Sequence, residues 1–182
     1  MVLLFTVSLP VVTPRLYASD EIQYFAFLRS LWFDQDLSFD NEYRYFHDRG
    51  IARAFGFEET FLELRTPTGH RYNFGTIGCA VLWAPFFGVA DLSVRLMRTA
   101  GADVAADGFS RPYLRAVTYG SAFYGFLAVL LSVRAARRLT GSRRHGQLAG
   151  LIAWLGTPLL FYMYVAPGMA HACSAFAVAV FV

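Results

Sequence analysis

The chain has 182 residues, of which 56% are hydrophobic and 17% aromatic, and its mean hydropathy is +0.41; that exceeds the apolar content of an ordinary soluble domain and belongs in a bilayer. Its net charge of +3 comes entirely from arginine, because lysine is absent, so a pI of 9.0 requires no nucleic-acid partner. The carboxylates all lie between Asp20 and Asp107.

The opening MVLLFTVSLPVVTP is apolar but short, lacks a basic start and runs into Pro10 and Pro14. It does not read as a signal peptide; residues 1–14 read as the outer part of a first span whose beginning is missing. A large segment, 15–113, follows. In it Ser19 is a good N-cap, and Asp20 and Glu21 fall in the first turn of a helix, where carboxylates suit the positive end of the dipole. Ile22, Phe25, Leu28, Leu31 and Trp32 then recur at helical spacing, with Gln23, Arg29 and Ser30 elsewhere. Such a stripe suits a helix lying on the bilayer surface, which would hold Asp20 at the depth of a lipid phosphate. The acidic pair has two readings. It merely starts a helix, or it supplies a carboxylate that takes a proton from an acceptor hydroxyl or holds a metal beside a phosphate leaving group.

Farther along, Asp34, Asp36, Asp40 and Glu42 alternate loosely like a calcium loop, but the glycine and closing glutamate of an EF-hand are not at their positions. A solvated acidic turn is the better reading. Glu58 and Glu59 precede Phe61 and Leu64 in what reads as a second amphipathic helix with a wet face. His70, Arg71, Tyr72 and Asn73 join turn residues to cation and amide donors, and Arg71 could grip a phosphate bidentately or snorkel to water from the interface. Arg111 and Tyr113 pose the same choice.

Residues 72–90 are uncharged for long enough to cross a bilayer. Gly75, Gly78, Pro85 and Gly88 weaken them as a straight helix, and Asp91 and Arg95 follow one turn apart, which favours a re-entrant or interface-lying helix. Residues 114–133 form a span. The loop 134–146 carries Arg134, Arg137, Arg138, Arg143 and Arg144 with no acid among them, and the positive-inside rule makes it cytoplasmic. It is a topology signal first and an anionic-lipid contact second. A further span covers 147–166, and a truncated one covers 170–182. The apolar, uncapped end suggests the amino-terminal part of a longer membrane protein, inactive in isolation. Cys79 and Cys173 match no metal spacing and read as small buried hydrophobes.

The sum is an all-α, polytopic membrane fold with a large non-cytoplasmic first loop containing interfacial helices. A span followed at once by Asp20 and Glu21, then an aromatic helix, then NFGTIGCAVLWAPFF, then an arginine-flanked span ending VRAARRLTG, resembles the amino-terminal part of GT-C fold glycosyltransferases, the dolichyl-phosphate-mannose and aminoarabinose transferase families in particular. The resemblance covers nearly the whole chain as a pattern, with the acidic pair its sharpest element.

It implies a multi-pass enzyme of the bacterial inner (plasma) membrane that takes a sugar from a polyprenyl-phosphate donor and passes it to a lipid, glycan or protein acceptor on the non-cytoplasmic face. No cofactor is required with certainty, and a divalent metal remains open. The family's catalytic acid maps onto Asp20, with Glu21 beside it. A second polar residue near the outer end of a later span has only His171 to stand for it, as a donor-phosphate contact or proton shuttle, against the plainer role of a helix-end histidine. Arg71 and Asn73 are the remaining substrate contacts. A transporter or flippase component, and a non-catalytic scaffold, are the competing classes; hydroxyls at Tyr119, Ser121, Tyr124, Tyr162 and Tyr164 would serve the former.

Overall fold

The computed structural model describes residues 1–181, and among them regular structure is helical, apart from one antiparallel bridge between Arg65 and Arg71. The helices are α1 (Val2–Ser8), α2 (Ser19–Arg29), α3 (Asp40–Asp48), α4 (Gly78–Thr99), α5 (Arg111–Thr140), α6 (Arg143–Leu155), α7 (Leu159–Tyr164) and α8 (His171–Val180). Two of these, α4 with 22 residues and α5 with 30, are long and apolar enough to cross a membrane. The chain divides into an acidic unit, Pro14–Val117, which holds every carboxylate, and a basic unit made of Met1–Thr13 with the chain from Thr118 onward.

In the acidic unit, α2 is the central element. Of the five greasy positions read from the spacing, Ile22, Phe25 and Leu28 are at 3% exposure or less, while Leu31 and Trp32, past the end of α2, are exposed. The other side is buried too, at Gln23, Arg29 and Ser30. This corrects the expected surface-lying helix: α2 is enclosed by α3, α4 and the chain around Phe109, and its polar residues turn inward to bond backbone groups and carboxylates. Phe25 meets Phe46 of α3, Phe87 of α4 and Phe109 at centroid separations of 5.8, 6.2 and 6.1 Å. Burial of one such ring is worth about 1.5–3 kcal/mol. Past Arg29 the helix widens into a π-type turn, Ser30–Asp34, that closes on Gln35 in the left-handed region at φ 58°.

The glycines and Pro85 do not break α4. Gly75 precedes it, Gly78 is its first residue, and Gly88 is a notch for the Trp32 indole, where an added Cβ would come within 3.0 Å. Pro85 forfeits only the bond to the Val81 carbonyl, and both residues face outward. Ala80, Trp83, Phe87, Ala90, Asp91 and Val94 form the buried stripe, while Val81, Val89, Leu92 and Leu96 are an exposed apolar stripe. The short helix Glu58–Glu63 buries Phe61 and turns Glu58 and Glu59 to the outside.

The basic unit packs around aromatic contacts from three helices. Phe5 of α1 stacks on Phe126 of α5 at 4.2 Å, and Trp154 of α6 meets both rings edge-on at 6.2 and 5.4 Å. Met163 sits over Gly125, where a Cβ would approach its Cγ to 2.6 Å. The Ser8 and Tyr164 hydroxyls bond at 2.7 Å, and Thr13 N–H donates to the Tyr164 carbonyl at 2.8 Å. The single span expected over 147–166 is two helices, because Gly156, Thr157 and Pro158 separate α6 from α7. The expected loop start at residue 134 is still helix, since nothing in VRAARRLT opposes α5 before Gly141 at φ 67°.

Gly108 is at φ 82°, and a Cβ there would lie 2.8 Å from both Arg29 Cγ and the Phe33 ring. Gly108→Ala is therefore expected to cost about 2–4 kcal/mol, from left-handed strain and overpacking together. Gly69 has a similar φ of 85° with nothing within 4 Å, and Gly69→Ala should lose only about 1 kcal/mol. Denaturant melts of the two variants test the difference.

Candidate functional site

The acidic pair is split by the start of α2. Ser19 is the first helical residue rather than the cap, and Ala18, at the cap position, has no side-chain acceptor. Glu21 supplies what is missing. Its Oε2 accepts the Tyr17 and Ala18 amides at 2.7 and 3.0 Å, which satisfies donors that the helix leaves open, and the residue is only 1% exposed. Glu21 thus serves as the helix-start clamp. Asp20 points the other way and is exposed; its Oδ1 lies 3.5 Å from Gln23 Nε2.

Gln23 links Asp20 to the stretch ahead of α4. Its Oε1 accepts the Phe74 amide at 2.7 Å, and its backbone carbonyl accepts Asn73 Nδ2 at 3.0 Å. Asn73 Oδ1 in turn accepts the Gly75 amide at 2.8 Å. Tyr24 lies against Gly75, and burial, with the Asp20 charge second, pushes its hydroxyl above the usual range, so it stays protonated beside Asp20. The structure therefore brings together Asp20 and Asn73 through Gln23, and adds Tyr24. Gln23 and Tyr24 were not candidates from spacing, since a helix surface pattern cannot reveal a partner fifty residues away.

Arg71 belongs to a different cluster. It is 5% exposed, its Nε and Nη2 bond Asp40 Oδ1 at 2.7 and 2.6 Å, and its Nη1 donates to the Leu62 carbonyl. It pins α3 to the turn 66–70, in which Thr66 and His70 pair through their backbones and His70 is exposed. The expected solvated acidic turn is corrected in part, at Asp40 and Glu42, by the same fact and by Arg29. Arg29 Nη1 bonds Asp34 and, at 2.9 Å, Glu42 Oε1; its Nε donates to the Asp107 carbonyl at 3.2 Å. The guanidinium carbon stands 4.6 Å from the Phe109 centroid and 5.5 Å from that of Phe33. The two buried arginines bond Asp34, Asp40 and Glu42, of which only Glu42 is buried. Asp34 and Asp36 are exposed, and the Ser38 amide and the Ser30 hydroxyl hold the Asp36 carboxyl below the usual range.

Glu42 is fully buried and its Oε2 has no hydrogen-bond partner. Burial pushes the carboxyl up to about 7 despite the Arg29 bond. Asp91, at 7% exposure on α4, accepts the Tyr113 hydroxyl at 2.7 Å, Arg95 Nε at 2.9 Å and Trp32 Nε1 at 3.5 Å. Tyr113 is thereby committed, while Arg111 stays exposed. His171 falls in the basic unit, exposed at the first residue of α8, with its ring 3.9 Å from that of Tyr162. Cys79 and Cys173 are buried and not joined in a disulfide.

Among the described residues no group of three or more His, Cys, Asp or Glu side chains is placed to hold a metal ion. Chemically, the cluster at the start of α2 offers one exposed carboxylate, a neighbouring protonated phenol and amide donors. No family model, curated protein sequence or solved structure matches this chain.

Because the Glu42 carboxyl titrates near 7 folded and near 4.5 unfolded, the folded form holds the extra proton between those values. Stability should then fall as pH rises from about 4.5 to about 7, by up to about 3 kcal/mol, and Glu42→Gln should flatten that slope. Melting curves across this pH range check both. Arg71→Met leaves Asp40 only the 3.7 Å contact to Arg65 and takes the guanidinium donor from the Leu62 carbonyl, and should destabilise the fold by about 1–3 kcal/mol, read by the same melts.

Proposed function

We propose that the chain acts in a membrane glycosyltransferase that moves a sugar from a polyprenyl-phosphate donor to a lipid, glycan or protein hydroxyl acceptor on the non-cytoplasmic face, with Asp20 as the base. The observation that supports this is the division of labour in the acidic pair: Glu21 is consumed by the helix start, and Asp20 is left exposed on a helix that is otherwise enclosed. An exposed carboxylate on a rigid mount can remove a proton from an acceptor hydroxyl as the anomeric bond to phosphate breaks. Tyr24, kept protonated, is a hydrogen-bond donor within the field of that carboxylate. Asn73 and Gln23 position the flanking chain, and Arg71 ties α3 to the chain at Leu62.

A second reading, a transporter or flippase component, draws support from Asp91. Its buried carboxylate sits on one of the two helices long enough to cross a membrane, and an ionisable group in such a place is functional by default.

Transfer of labelled sugar from polyprenyl-phosphate sugars, by membranes expressing the native open reading frame, separates the two. Asp20→Asn should lower turnover by about 10²-fold or more, with Asp91→Asn retaining sugar transfer; equal turnover by Asp20→Asn and the parent protein removes the glycosyltransferase proposal. Sidedness gives an independent test. Single cysteines placed at Ser38 and Ser142 should label from opposite faces of the membrane, as an α4 that does not cross requires. Labelling from one face would mean that α4 crosses and that Asp20 shares the compartment of the arginine loop, which is incompatible with the proposed reaction.

A further inference from the structure

The carboxyl-terminal half of α5 and the start of α6 border an open cavity of about 720 Å³ lined by Leu130, Val133, Arg134, Arg137, Arg138, Gly141 and Arg143. Residues 130, 133, 134, 137 and 138 recur at helical spacing, so one face of α5 forms a wall that is apolar at one end and cationic at the other. The basic unit contains no carboxylate, and none of the four arginines makes an ion pair or side-chain hydrogen bond among the described residues. This contrasts with Arg29, Arg71 and Arg95, each of which has a carboxylate partner.

Two further features mark the place as built for an anion. The first turn of α6 carries Arg143 and Arg144 and no acid, which puts cations at the positive end of its dipole, where they are unfavourable unless a negative charge joins them. The Arg137 stem is held against Gly146, where an added Cβ would lie 2.2 Å from Arg137 Cγ and 2.8 Å from the Val133 carbonyl, so only glycine admits this approach of α6 to α5. The aliphatic stem of Arg137 is thereby held at the α5–α6 contact, while its guanidinium, like those of Arg134, Arg138 and Arg143, is exposed.

We infer that this cavity binds a phosphoryl group, a phosphomonoester or diphosphate, gripped by the guanidinium forks of Arg134, Arg137, Arg138 and Arg143, with Leu130 and Val133 receiving the apolar part of its carrier. Planar guanidinium matches phosphate oxygens two at a time, which an ammonium cannot do. The site does not depend on Asp20 or on the sugar-transfer reading.

The same chemistry is available from a lipid headgroup or from a soluble phosphate, and two arms separate them. In the first, the full chain is placed in phosphatidylcholine nanodiscs with or without phosphatidic acid, and bound lipid is counted by native mass spectrometry. In the second, sodium pyrophosphate is titrated calorimetrically into the detergent-solubilised chain. Saturable one-to-one binding is expected in at least one arm. Arg134→Gln with Arg138→Gln should weaken it about tenfold or more, and Arg44→Gln with Arg98→Gln, an equal change of charge elsewhere, should leave it intact. Retention of phosphatidic acid without pyrophosphate binding assigns the lipid source; pyrophosphate binding assigns a soluble one. If the glutamine pair fails to fold, Arg134→Lys with Arg138→Lys keeps the charge and removes the forks, and several-fold weaker binding is again expected. No saturable binding in either arm, an equal loss in the Arg44/Arg98 pair, or full affinity in the lysine pair would each overturn the site.

Discussion

Burying one guanidinium sets the terms for the acidic unit. A charge taken out of water must be met by opposite charge and by hydrogen bonds, and Arg29 is met by Glu42 on α3, by Asp34 on the turn that ends α2, and by the carbonyl of Asp107. Three separate stretches of chain are therefore tied to the last turn of one helix. The rings of Phe33 and Phe109 close over the same group, and the close packing at Gly108 follows from it, since any side chain there would displace the Arg29 stem or Phe33. The demand is not fully met: one oxygen of Glu42 is left without a donor, and burial lets its carboxyl hold its proton to about 7.

With its far end anchored, α2 presents its first turn as a fixed platform. Glu21 closes that turn from beneath by accepting two backbone amides, and Gln23 fastens it to the chain ahead of α4. Asp20 is left as the polar group of this turn with no structural duty beyond a long contact to Gln23. An acid of this kind, held in place by its neighbours and open to solvent, is what proton removal from a bound hydroxyl needs, and it underlies the proposed role.

The helical character of the chain and the apolar stripe of Ile22, Phe25 and Leu28 were legible in their spacing, as were the burial of the two cysteines and a turn before Arg71, although the stripe packs on protein and not on a bilayer surface. The enclosure of α2 was not. Gln23, Arg29 and Ser30 look like a wet face because spacing records only polarity, and their partners at Phe74, Glu42 and Asp36 are set by tertiary contact. The acidic run from Asp34 to Glu42 misled in the same way, for its charges are answered by arginines before and after it in sequence. At α4 the glycines and Pro85 suggested interruption, but propensity gave way to packing: Gly88 is small because Trp32 needs the room. For the candidate site, Asp20 was visible as half of a pair. Which half was free depended on the missing cap at Ala18, a detail that only the conformation of the helix start reveals.

The interruption between α6 and α7 has its own implication. Gly156 N–H donates to the Ile152 carbonyl at 2.8 Å, and the Thr157 hydroxyl donates to the Ala153 carbonyl at 2.6 Å while accepting the Leu159 amide at 3.2 Å. Three polar groups at the corner are thus met by the chain's own neighbouring turns, which lowers what a bend in apolar surroundings costs. Thr157 serves both helices at once, as acceptor for the start of α7 and donor to the end of α6.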